Sequence, residues 1–216
     1  MSTKPFVIVV GLDYSEHSED ALTRSFELAS REAAAELHVI SVLPARDLAQ
    51  PNLPKSVLLD VEVAAVQLQR YVASRWAAFT RSVPEEVRHS PKRVVSHVRF
   101  DRPAKGIVQL ASDLNADLVV VGSHGRQGLT RLLLGSVSEQ VLRLAACPVL
   151  VVRPKSAPAR DPALEPACER CQAARRQPAL ELWCEEHRKK QGALHVYHQH
   201  DEAAELAMLA SPHASG

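Results

Sequence analysis

Residues 116–138 read Ala116-Asp-Leu-Val-Val-Val-Gly122-Ser-His-Gly125-Arg-Gln-Gly128-Leu-Thr-Arg-Leu-Leu-Leu-Gly135-Ser136-Val-Ser138. Asp117 to Gly122 is a short, β-branched apolar run, the pattern of a strand buried on both faces. Four of the chain's eight glycines follow from there, at Gly122, Gly125, Gly128 and Gly135. Gly122 and Gly125 carry no Cβ, so the backbone can turn sharply and bring consecutive N–H groups onto phosphate oxygens. Gly135 and Ser136 open a helix expected over Val137 to Ala145, whose first N–H groups and dipole favour an anion. The hydroxyls of Ser136 and Ser138 can add hydrogen bonds, and Arg126 and Arg131 are near enough in sequence to add charge. The order strand, glycine loop, helix is that of a phosphate cradle. No Gly-Lys-Ser/Thr ends it as in a P-loop, and no Gly-x-Gly-x-x-Gly dinucleotide fingerprint is present.

On the N-terminal side, Phe6 to Leu12 is another continuous apolar run and a first strand. Asp13-Tyr14-Ser15 turns the chain, with Ser15 or Ser18 available to cap a helix through Leu22, Phe26, Ala29 and Ala33. Leu37 to Leu43 predicts a second strand, stopped at Pro44. After a loop with Pro51 and Pro54, Val61, Ala65, Leu68, Val72, Trp76 and Phe79 make one apolar stripe on a long helix. Val94 to Val98 is a short third strand, and Pro103 opens a helix through Ile107, Leu110 and Leu114. Asp117–Gly122 is the fourth strand and Pro148–Arg153 the fifth. Strands separated by helices require an α/β fold, a doubly wound and mainly parallel sheet with helices on both faces. In such sheets ligands sit beyond the carboxyl ends of the strands, where the strand order reverses. Asp13, Val42 and the stretch from Gly122 occupy those ends.

The chain resembles the universal stress protein family over about residues 5–154. The resemblance rests on Gly122-x2-Gly125-x9-Gly135-Ser136, on Asp13-x-Ser15, and on the stretches Ala116–Gly122 and Cys147-Pro-Val-Leu-Val-Val-Arg-Pro154. The glycine motif has the form of the ATP-binding branch. The resemblance implies a five-stranded parallel sheet, ATP at the switch point accompanied by Mg²⁺, and a homodimer paired through the fifth strand, Val149–Arg153. It also implies that Asp13 lies near the ribose and adenine and that Val42 meets the adenine through its backbone. Gly122, Ser123, His124, Gly125, Arg126, Gln127 and Gly128, with Ser136, Val137 and Ser138, would hold the phosphates. Three residues also have a local reading. Asp13 can cap the following helix, His124 is expected in the loop with its ring toward solvent, and Cys147 is expected as a packed thiol. Dimerisation has a physical motive of its own, since an apolar last strand left at an open edge invites uncontrolled pairing.

Beyond Arg153 the composition changes. Pro154, Pro158, Pro162 and Pro166 recur at every fourth position, which excludes a helix and predicts an extended linker. Cys168-x2-Cys171 and Cys184-x2-His187 follow, twelve residues apart. That is the spacing of two metal knuckles, and a Cys₃His set suits tetrahedral Zn²⁺. Leu180, Leu182 and Trp183 are the expected small core, and His195, His198 and His200 compete with His187 as fourth ligand. Free cysteines in a flexible tail are the alternative. The expected organisation is a nucleotide-binding domain over 1–155, a linker over 156–166, a Cys/His extension over 167–210 and a tail over 211–216.

The chain is 46% hydrophobic and 24% charged with a formal net charge of +1, a globular balance that does not select for nucleic acid or an anionic membrane. Arg175, Arg176, Arg188, Lys189 and Lys190 are offset by Glu165, Glu169, Glu181, Glu185 and Glu186, which favours a structural or protein-binding extension over a nucleic-acid finger. Met-Ser-Thr-Lys-Pro enters the first strand without a cleavage-site pattern, so a cytoplasmic location is expected. The first functional expectation is a nucleotide-responsive regulatory module acting on a protein partner in stress response. A slow ATPase or phosphotransferase ranks second. A zinc- or redox-responsive interaction protein ranks third.

Overall fold

The computed structural model describes residues 4–44, 55–84, 89–125, 134–154, 167–176 and 183–191. The chain divides into two compact units, Met1–Arg160 and Asp161–Gly216. In the first unit the order is β1 (Phe6–Gly11), α1 (Glu16–Ala29), β2 (Ala35–Pro44), α2 (Lys55–Ser82), β3 (Arg93–Asp101), α3 (Pro103–Asp113), β4 (Leu118–Gly122), α4 (Ser136–Leu144) and β5 (Val149–Val152). The second unit holds two short helices, α5 (Glu169–Ala174) and α6 (Glu185–Gln191).

All five strands are parallel, in the order β3-β2-β1-β4-β5. Because side chains alternate along a strand, β1 serves both faces of the sheet. Ile8 and Val10 point to one side, where Leu22 and Phe26 of α1 and Leu68 and Val72 of α2 pack with Leu37 and Val39. Val7 and Val9 point to the other, against Ile107 and Leu110 of α3, Val141 of α4, and Val119 and Val121. This double burial is why β1 and β4 lack any polar alternation. Phe26 anchors the first side, with the rings of Trp76 and Phe79 at centroid distances of 5.1 and 5.7 Å.

Several element boundaries differ from the sequence expectation by one or more residues, and β3, α1 and α4 show why. Strand β3 runs to Asp101 because its pairing with β2 continues to Pro44↔Asp101. Arg99 and Asp101 disguised it, being polar residues on an edge strand. Helix α1 ends at Ala29, where Ser30 caps it, so Ala33 extends the apolar spacing without extending the helix. Helix α4 begins at Ser136 with Gly135 as N-cap, one residue earlier than expected. The expected linker, the residues Arg126, Gln127, Gly128 and Arg131, the residues Leu180 and Leu182, the competing His195, His198 and His200, and the 211–216 tail lie outside the described residues.

Candidate functional site

The strand order places the site. From β1 the chain adds β2 and β3 on one side, then crosses back and adds β4 and β5 on the other. The order therefore reverses between β1 and β4, and a crevice opens beyond their carboxyl ends. β1 and β4 pair only as far as Val10↔Val120, whereas β4 continues with β5 to Gly122↔Val152. The segment from Leu12 and the segment from Gly122 diverge around that crevice.

On the β1 side, Asp13 builds the turn. Its Oδ1 accepts the Ser15 N–H at 3.0 Å and the Ser15 hydroxyl at 2.5 Å. Ser15 is the N-cap of α1 and its hydroxyl oxygen accepts from the Ser18 N–H at 3.3 Å. Asp13 thus has a local structural role, as a carboxylate after a strand can. Its other oxygen faces the glycine loop: a Cβ added to Gly125 would lie 2.8 Å from Asp13 Oδ2. Tyr14 takes the left-handed conformation at φ 63°, a cost of about 1–3 kcal/mol for a non-glycine residue. Its ring packs edge-on against Tyr71 at 5.1 Å.

On the β4 side, the two ends of the glycine loop are tied together. The Gly135 N–H donates to the Ser123 carbonyl at 2.8 Å, and the Ser138 hydroxyl donates to the Gly122 carbonyl at 2.6 Å. The Ser123 N–H donates to the Val152 carbonyl at 2.8 Å, which fixes the same turn to β5. Glycine is required at the first end and closely fitted at the second. A Cβ on Gly122 would lie 2.6 Å from the backbone of His17, and one on Gly135 would lie 3.1 Å from the Ser123 carbonyl. The first intrahelical bond of α4 is Glu139 N–H to Gly135 carbonyl at 2.9 Å. The N–H groups of Ser136, Val137 and Ser138 therefore have no acceptor within the helix, and they stand beside Gly122–Gly125. Ser138, expected to offer its hydroxyl outward, instead uses that proton to close the loop.

Val42 lies on the neighbouring strand. Leu12 N–H donates to the Ile40 carbonyl at 2.9 Å, so the Ile40 backbone faces β1. With the period of two along a strand, the Val42 N–H and carbonyl face the same way. The β1 register ends at Gly11↔Ile40, so those groups look over the crevice. The Val42 side chain is half-buried on the opposite side of its own backbone, close against Gly106 of α3.

Sequence reasoning missed His17. It is the second residue of α1, where its backbone covers Gly122. Its ring is 5.1 Å from that of His124, and the Ser123 hydroxyl sits 3.4 Å from His17 Nδ1 and 3.2 Å from His124 Nδ1. Ser123 is buried. The ring of His124 is half-buried beside His17 and Ser123. The only signal for His17 was its position four residues after Asp13. Cys147 is half-buried among the α3–α4 core residues, and burial raises its thiol, the behaviour of a packed cysteine.

In the second unit the four sequence-selected ligands converge. One ligand atom from each of Cys168, Cys171, Cys184 and His187 lies within 4.8 Å of the others. Cys184 N–H points at Cys171 Sγ, 3.3 Å away, and Cys184 Sγ is 3.3 Å from His187 Nδ1. Hydrogen bonding from the His187 backbone and ring lowers Cys184 to about 6, so its sulfur is held toward the thiolate form that binds metal. Among the described residues this is the one Cys/His/carboxylate group with metal-ligand geometry.

No helix among the described residues is long and apolar enough to cross a membrane. Residues 6–153 match the sequence model of the universal stress protein family. A universal stress protein of Mycobacterium tuberculosis is 39% identical over 146 residues, spanning 68% of this chain and 45% of that protein. The chain thus covers less than half the length of that relative. A universal stress protein A homologue of Coxiella burnetii is 32% identical over 147 residues, spanning 67% of this chain and 94% of that protein. Among solved structures, a universal stress protein in complex with cAMP aligns at a TM-score of 0.50 and 24% identity, over 68% of this chain and 96% of that one. With the parallel five-stranded sheet and the glycine loop at its switch point, these matches establish that the chain belongs to the universal stress protein family.

Proposed function

We propose that the first unit binds ATP, with the Mg²⁺ the nucleotide carries, in the crevice between β1 and β4, and acts as a nucleotide-responsive regulatory module in stress response. One observation carries the reading. The loop is closed at its base, which sets the glycine turn at Gly122–Gly125 against the N–H groups of Ser136, Val137 and Ser138, which have no acceptor within the helix. That is a concentration of backbone donors at a helix N-terminus, the chemistry of a phosphate site. In this reading Arg126, Gln127 and Gly128 complete the cradle, and Ser136 offers the outward hydroxyl. Asp13 Oδ2 accepts from the ribose hydroxyls, while Val42 reads the adenine edge with one N–H and one carbonyl. A universal stress protein of this fold in complex with cAMP supports an adenine nucleotide as the ligand class.

In the same reading the module is a cytoplasmic homodimer joined along β5, and occupancy of the crevice is passed to a protein partner. The donor set of the second unit, three thiolates and an imidazole, supports zinc over harder ions. A crystal structure grown with ATP and Mg²⁺ tests the nucleotide reading. Phosphates are expected within hydrogen-bond reach of the N–H groups of Gly125 and Val137, with the ribose at Asp13. Nucleotide bound elsewhere, or an empty crevice at saturating ATP, contradicts it.

A further inference from the structure

Among its described residues, the second unit has little hydrocarbon to fold around. Helices α5 and α6 are six and seven residues long, well short of the ~12–15 residues at which an isolated helix becomes marginally stable in water. Among its described residues only Cys171 is buried, so a sulfur atom stands where a core side chain would. Arg170 and Glu186 bridge the two helices at 2.9 Å, but both side chains are mostly exposed, and such a pair contributes at most about 1 kcal/mol. Among the described residues the ligand group also joins the two helices.

Resting on the zinc reading of that group, we infer that the ion is the core of the C-terminal unit. Zn²⁺ is held by the sulfurs of Cys168, Cys171 and Cys184 and by Nδ1 of His187, in a closed structural centre without which residues 167–176 and 183–191 lose this arrangement. Geometry supports this. Zn–S bonds of about 2.3 Å and Zn–N bonds of about 2.0 Å place tetrahedral ligand atoms ~3.5–3.8 Å apart. The four atoms already lie within 4.8 Å of one another, with Cys184 Sγ and His187 Nδ1 at 3.3 Å. Closing on an ion needs a contraction and no change of chain path.

Placement supports it as well. Cys168 is the N-cap of α5 and Cys171 lies in its first turn, while Cys184 immediately precedes α6 and His187 lies within it. One ion therefore fastens the start of both helices. Three thiolates around a dication leave a net charge of −1. The described residues of the unit carry Arg170, Arg175, Arg176, Arg188, Lys189 and Lys190 against Glu169, Glu185 and Glu186, a positive balance that suits an anionic cluster. Four protein ligands leave no coordination position for water or substrate, which is the design of a structural zinc and not a catalytic one. Metal binding and folding are then one event, as in small metal-dependent domains.

The test uses the full chain. Zinc content and amide hydrogen exchange are measured as purified, after chelation, and after Zn²⁺ is returned. One zinc per chain is expected. Protection across 167–191 is expected to vanish on chelation and return with Zn²⁺, while protection across 6–153 stays unchanged. Cys184→Ser should lose both the zinc and the protection, and Cys147→Ser, outside the cluster, should keep both. One zinc per chain with protection unchanged by chelation overturns the core role and leaves the zinc reading standing. No zinc uptake, even after incubation with Zn²⁺, removes both.

Discussion

At the residue scale, the site depends on atoms that are missing as much as on atoms present. Gly122→Ala places a Cβ 2.6 Å from the carbonyl carbon and oxygen of His17, backbone atoms that cannot step aside. Such overpacking costs about 1–3 kcal/mol, read as a lower urea midpoint, and nucleotide affinity should fall with it. Asp13→Asn separates the two roles of that side chain. The amide oxygen can still accept from Ser15, so stability should change by less than about 1 kcal/mol. Loss of the charged acceptor should weaken ATP binding by about tenfold or more, the scale of a hydrogen bond to an ionised group. A titration that shows equal affinity for wild type and Asp13→Asn removes the ribose contact. The glycines and Asp13 were legible in sequence because backbone freedom and turn chemistry are properties of residue type. The His17–Ser123–His124 cluster was not, since it joins positions 106 residues apart and no short-range pattern carries that information.

At the element scale, the apolar runs and the helical stripe gave every strand and helix of the first unit, because burial on both faces leaves no other pattern. Phe26→Ala, at the junction of α1 and α2, should cost about 3–5 kcal/mol in urea unfolding. The polar interior of the β2–β3 pair was invisible in sequence. His38 Nδ1 and His97 Nε2 are 3.0 Å apart, and His38 Nε2 lies 3.7 Å from the buried carboxylate of Glu36, which also pairs with Arg93. Burial lowers both histidines, His97 to about 4 with further contributions from His38 and Arg99. The sign follows directly. The unfolded imidazoles take up protons near about pH 6.5 while the folded ones resist. Their contribution is therefore complete above pH 6.5 and is lost as the pH falls toward 4, levelling off below. Urea unfolding from pH 7.5 to 4 should show this decline, and His97→Gln should flatten it. An unchanged slope in His97→Gln assigns the decline to other groups.

At the scale of the whole molecule, the sheet leaves β5 at an edge. Val119 N–H and Ser123 N–H donate to the carbonyls of Pro148 and Val152, so residues 148, 150 and 152 face β4, and Val149 and Val151 face outward. Val151→Pro removes an outward N–H and leaves the β4 ladder intact. If the proposed dimer pairs through this edge, sedimentation should give a dimer for wild type and a monomer for Val151→Pro. A dimer in both contradicts that pairing. The composition change after Arg153 is the sequence signal for a second unit, and the paired spacing is the signal for the proposed ligand set. Among the described residues His187 lies beside the three sulfurs, and the competing His195, His198 and His200 lie outside the described residues. The claim at the centre is that the closed glycine loop holds a triphosphate. Isothermal titration of ATP with Mg²⁺ into the full chain at physiological salt tests it most directly: saturable binding of one nucleotide per chain, lost in Gly122→Ala, is expected, and no binding up to millimolar ATP by the folded wild-type protein would contradict it.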